Sequence, residues 1–242
     1  MKKVLTMISV FLGLSVYAQS VDMAAYNTVI KQLGIHKQAI DTQFYTEKIL
    51  PNDKSTWVMV FAEIAKDNEE EKGTTEYSAY IVLYDLNNKK IKAFYKEKNK
   101  WLSDRNDMQI SRIWIDTGLF VLTEGVRAFG IRVESYHNGF DYVEDTDFEL
   151  FVYRNNNLDR VLSNYPLGFV HKTPTNGDEN DCAPSDSRKS MFSMSKNKTN
   201  GYYDIIDTIT QEEITYDTNC KKRMKKTKET KTLKYNGKEY KY

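Results

Sequence analysis

Two cysteines, three histidines, two acidic runs and one basic run are the residues of this chain whose types and spacing could do chemistry. Cys182 and Cys220 lie about 38 positions apart with no CxxC and no histidine close in sequence, so a redox or metal pair has nothing to support it. In an oxidising compartment an even cysteine count reads as a disulfide, and closing such a loop stabilises a fold by about 3–4 kcal/mol on the chain-entropy argument. His36, His137 and His171 are far apart, and each reads as a solitary turn or surface histidine. The acidic runs are DYVEDTDFE, with Asp141, Glu144, Asp145, Asp147 and Glu149, and GDENDCAPSD, with Asp178, Glu179, Asp181 and Asp186. Alternating carboxylates can supply oxygens to a hard cation, but neither run has the spacing of a calcium-binding loop. The plainer reading of both is a solvated loop. The second is the better cation candidate, because Cys182 would hold it.

The basic run KKRMKKTK begins directly after Cys220 and contains Lys221, Lys222, Arg223, Lys225, Lys226 and Lys228. It reads as a loop able to meet an anionic surface, through Lys221, Lys222, Arg223, Lys225 and Lys226 above all. Such a surface could be lipid headgroups or an acidic polymer. Stacking aromatics are not interleaved with it, which argues against single-stranded nucleic acid. A Cys182–Cys220 bond would bring this run near the acidic residues of 178–186, so mutual neutralisation is the competing expectation. No GxSxG, HExxH, P-loop or GxGxxG occurs, and no cofactor or metal is expected from the sequence.

The elements that must position these residues are mostly strands. Asp22 to Leu33 has helical spacing of apolar side chains, with Asp22 as N-cap, Gly34 at C′ and Ile35 packing back. From Gln43 the period becomes two. STWVMVFAEI puts Trp57, Met59, Phe61 and Glu63 on one face and Val58, Val60, Ala62 and Ile64 on the other, which marks a strand buried on both sides. Hairpins are expected around Asn87-Asn88, Glu124-Gly125, Asn155 to Asn157, Asn200-Gly201 and Asn236-Gly237, with a further turn at Thr117-Gly118. The segments from Tyr165 to Lys189 and from Cys220 to Lys231 read as irregular. Asparagine turns after Tyr84, Tyr153 and Tyr235 recur every 70 to 80 residues or so, which suggests meanders of about four strands. The fold expected is therefore all-β, propeller-like, with a β-sandwich as the alternative and one short N-terminal helix.

The first residues, MKKVLTMISVFLGLSVYAQS, have a basic start, an apolar run and small residues before a cut after Ala18, or after Ser20. Residues 1–18 are thus expected to be a signal peptide and 19–242 a single all-β domain without a transmembrane segment, periplasmic or secreted. Lys and Arg number 35 against 34 Asp and Glu, so global charge does not point to nucleic acid.

The signal segment, ILPNDKSTWVMVFAEI, WIDTGLFVLTEGVRAFGIRVES, LDRVLS, KTNGYYDII and TLKYNGKEY together resemble a group of exported bacterial proteins of unassigned function. GYYDII followed by LKYNGKEY also resembles strand pairs of FG-GAP-type propeller modules. The calcium-loop aspartates of those modules are missing, so no cation site comes with the resemblance. The resemblance implies export and β structure. The function expected is an exported non-enzymatic β-protein binding a protein, a glycan or another envelope component. The alternative is a periplasmic or secreted hydrolase using dispersed carboxylates.

Overall fold

The computed structural model describes residues 22–173 and 182–242. The expected signal peptide therefore lies outside the described residues, as do Asp178, Glu179 and Asp181.

Helix α1 spans Met23–Leu33. The Asp22 carboxylate accepts from the amides of Ala24 and Ala25 at 2.9 and 3.2 Å, satisfying donors that the first turn leaves open. Gly34 adopts the left-handed conformation (φ 65°) that ends the helix, and the Ile35 amide bonds to the Ile30 carbonyl. Among the described residues twelve strands follow, and their pairing is antiparallel throughout. β1 (Thr46–Leu50), β2 (Asp53–Asn68), β3 (Thr74–Asp85) and β4 (Lys90–Asp104) form a four-stranded sheet, with the single-turn helix α2 (Glu69–Lys72) between β2 and β3. The second sheet is an uninterrupted eight-stranded meander. It contains β5 (Gln109–Thr123), β6 (Val126–Asn138), β7 (Tyr142–Arg154), β8 (Asn157–Lys172), β9 (Ser185–Thr199), β10 (Tyr202–Tyr216), β11 (Lys222–Tyr235) and β12 (Tyr240–Lys241).

The layers follow from strand alternation. Trp57, Met59 and Phe61 of β2 meet Tyr26, Val29 and Ile30 of α1, while Val58, Val60 and Ala62 face the second sheet. There they join Ile113, Ile115, Phe129, Ile131 and Phe151 in one core. The opposite face of β5–β8 carries Phe120, Leu122, Phe148, Leu150 and Val152. This face is covered by the rest of the same sheet, through Phe192, Ile205, Leu233, Tyr235 and Tyr240. The long sheet coils because β8 and β9 pair only between Gly168–Lys172 and Ser185–Lys189, which leaves β9 free to swing across the core. β5–β8 are thus buried on both sides.

The helix, the two-sided β2 strand and five of the asparagine or glycine turns stand where the sequence places them. Four expectations are corrected. The strands are not grouped in blades: successive hairpins continue two open sheets packed face to face, a sandwich-like arrangement rather than a propeller. Thr117-Gly118 is not a turn but an irregularity inside β5, where the pairing with β6 slips between Asp116 and Phe120. The Asp116 carboxylate holds the Gly118 amide at 2.9 Å, and Arg127 bonds to the carbonyls of Thr117 and Gly118. The segment from Tyr165 to Lys189 is regular at both ends, in β8 and β9. The basic run is not a loop. All of it except Lys221 forms the first half of β11, because the facing strand β10 offers β11 a ladder from Ile205 to Tyr216.

Gly130 sits where the doubly buried layer is tightest. A Cβ there would overlap the ring of Phe148 on the neighbouring strand. Gly130→Ala is expected to cost about 1–3 kcal/mol, the range for overpacking a filled core, measured by urea unfolding. Phe148→Leu in the same chain should return part of that loss.

Candidate functional site

The coiling of the long sheet leaves a groove between β5–β8 and β9–β11. Three cavities follow one another along it. The first, of about 630 Å³, lies where β9 passes the unpaired edge of β5. It is lined by Leu119, Phe120, Leu167, Met191, Phe192 and Met194, among others. The second, of about 300 Å³, shares Arg132, Leu167, Lys189 and Ser190 with the first and adds Arg188, Glu134 and Glu144. The third, of about 500 Å³, shares Phe169 and Ser187 with the second and ends at His171, Glu213 and Lys225. One end is therefore the more apolar, the middle carries three cations and two carboxylates, and the far end is of mixed charge.

Packing and hydrogen bonding hold the cations of the middle cavity in place. Arg132 lies over the Trp114 ring at 4.7 Å, and its Nε donates to the Asp116 carboxylate at 2.9 Å. The Trp114 indole N–H donates to Glu134 at 2.9 Å, which fixes the ring under the guanidinium. Arg188 donates to the Pro166 carbonyl and stands 3.9 Å from the carboxylate of Asp207. Asp207 is fully buried and takes hydrogen bonds from Tyr165 and, at 3.0 Å, from Ser190. Burial and the carboxylate beside it push the Tyr165 hydroxyl far above its ordinary range, so it stays a donor. Lys189 projects from the rim and is exposed. At the apolar end Leu119 and Met191 are 75% and 67% exposed, which is unusual for side chains of their size on a strand otherwise packed against a core.

The residues singled out by sequence are scattered. Cys182 and Cys220 are joined, with Cα atoms 5.4 Å apart, and the bond ties the start of β9 to the start of β11. Of the basic run, Lys225 and Thr227 line the groove. Lys226 pairs with Glu212, Lys225 with Glu213 at 3.9 Å, and Arg223 with Asp217 at 3.8 Å. These partners are the carboxylates of β10 and the turn after it, whereas Asp178, Glu179 and Asp181 of the expected neutralising run lie outside the described residues. Lys221 and Lys222 lie at the exposed start of the strand. His36 and His137 stand apart from the groove, whereas His171 lines its far end, 3.4 Å from Asp141.

The first acidic run is a strand rather than a loop, and the pleat divides it. Glu144 faces the groove, while Asp147 and Glu149 face β4. Asp186 is on β9. Among the described residues no cluster of His, Cys, Asp and Glu could hold a metal ion. Arg132, Arg188, Trp114 and Asp207, which build the groove, were not singled out by sequence. Each sits in an ordinary alternating strand, and only the coiling of the sheet gathers them.

No family model, no curated protein and no solved structure matches the chain.

A second polar cluster lies between the sheets. Glu149, 3% exposed, accepts from Lys100 at 2.7 Å and Arg160 at 2.9 Å. Lys100 also bonds to Asn164 at 2.7 Å, and Arg160 reaches Glu97. It is a structural node that matches charge for charge across the layers. Lys100→Met is expected to lower stability by about 3 kcal/mol, the low end for half of a buried pair, because Arg160 remains. In equilibrium unfolding, Lys100→Met/Glu149→Gln should recover much of that loss.

Proposed function

We propose that this chain is an exported binding protein whose groove takes an anionic single-chain amphiphile, with the tail at the apolar end and the headgroup at the arginines. The observation that carries this reading is the shared wall of the first two cavities. Leu167, Arg132, Lys189 and Ser190 line both, so the apolar side chains of the first cavity lie next to cations at the boundary with the second. Volumes of 300 to 630 Å³ suit small-molecule ligands. A free carboxylate or phosphate would find Arg188 already placed, with little ordering of that side chain left to oppose binding, and the exposed Lys189 at the rim. An acyl chain would cover Leu119 and Met191, side chains that now face water.

Export is supported by the leader-like order of the first residues and by a disulfide, which persists in oxidising compartments. Among the described residues no helix is long and apolar enough to cross a membrane.

The test is titration with palmitate and with lysophosphatidylglycerol, followed by tryptophan fluorescence. Saturable binding is expected, and Trp114→Phe should remove most of the signal. Leu119→Glu/Met191→Glu should weaken binding at least tenfold without changing the melting temperature, because both side chains are exposed. Lys189→Glu should weaken it several-fold, and more so at low salt. Lack of saturation by either ligand, or equal affinity in the Leu119/Met191 variant, overturns the proposal.

A further inference from the structure

The outer edge of β11 is open. β12 pairs with it only at Lys234 and Tyr235, and among the described residues no strand pairs with the outer side of Lys222–Leu233. The nine residues from Lys222 to Thr230 are exposed on both faces. The strand therefore continues well past the core that could repay its ordering. It is kept straight from outside by the β10 ladder and by the disulfide at Cys220.

The charged side chains along this edge are nearly all of one sign. Lys222–Lys234 contains seven cations and a single carboxylate, Glu229. Arg223, Lys225, Lys226 and Lys231 have carboxylate partners, whereas Lys222 and Lys228 make no ion pair among the described residues. An open edge is a template for another strand, and lysines are a known device for refusing apolar ones. They do not refuse a strand that carries carboxylates, since opposite charges across neighbouring strands stabilise the pairing. A second copy of the same edge is disfavoured, because antiparallel β11 strands would set cation against cation.

We infer that β11 receives an extended acidic polypeptide segment as an added strand, with main-chain hydrogen bonds along Lys222–Leu233 and carboxylates beside Lys222 and Lys228, which share one face of the strand. Main-chain pairing supplies affinity in such additions, and the charge pattern chooses the partner. This surface lies at the cationic edge of the sheet. Its use does not depend on a ligand in the groove.

The probe is a fluorescent peptide of alternating Glu and Val, eight residues long, compared with the same peptide N-methylated at every second amide. Anisotropy and amide hydrogen exchange are read on the full chain. The unmodified peptide should bind and slow exchange within Lys222–Leu233. The methylated one should bind at least tenfold more weakly. Lys222→Gln/Lys228→Gln, which touches no ion pair, should weaken binding and flatten its salt dependence while leaving the melting temperature unchanged. Equal binding of the two peptides overturns the proposal, as does unchanged exchange along β11. If phosphatidylglycerol vesicles bind and the peptide does not, the edge is a membrane-contact surface and the proposal fails.

Discussion

Burial of the β5–β8 layer on both faces is the constraint from which the other features follow. A sheet packed on one side could stay flat and present its outer face to water. Here Phe129, Ile131 and Phe151 point one way, and Phe148, Leu150 and Val152 point the other. Both sets need cover. The four-stranded sheet supplies one and the coiled continuation of the same meander supplies the other. Close packing in such a layer explains the glycine at 130, where a methyl group has no room beside Phe148.

Carboxylates also enter low-dielectric surroundings on either side of this layer, and hydrogen-bond donors meet them there. Glu149 meets Lys100 and Arg160 on the side facing the first sheet. Asp207 meets Tyr165 and Ser190, with Arg188 near, on the other. An unmatched charge in either place would cost several kcal/mol. Matching fixes how the layers register, and on the groove side it also leaves Arg188 rigid at the cavity wall. The groove is therefore a consequence of coiling. Apolar cover is complete over the middle of β6 and β7 and runs out toward β5 and β9, where Leu119 and Met191 are left in water.

The β10–β11 ribbon obeys a different rule. Past Ile209 its side chains are no longer fully buried, and those of β11 between Lys222 and Thr230 bury nothing. Cross-strand pairs such as Glu212 with Lys226, the backbone ladder and the disulfide keep it extended. Stability there comes from pairing rather than from a core, which is why the ribbon can present an open, charged edge without weakening the body of the protein.

Local physics was legible in the chain. Asp22 and Gly34 bracket α1 because capping depends on a few neighbouring atoms. The asparagine and glycine turns, the two-faced pattern of Trp57 to Ala62 and the cysteine pairing are equally local or compositional. The meaning of each face was not legible. Period two says that a strand has two sides, not what lies against them, so the repeated asparagine turns favour a propeller, whereas Phe129 and Phe148 meet different layers of stacked sheet. KKRMKKTK looked like a loop because charge disfavours burial, and it became a strand because β10 supplied a ladder that needs none. The groove was hidden for the same reason. Arg132, Arg188 and Trp114 are unremarked residues of separate strands, and only the divergence of β9 from β8 brings them to one wall. Sequence sets which bonds each segment can form. The long-range choice among them belongs to the tertiary structure, because it depends on burying both faces of one layer at once.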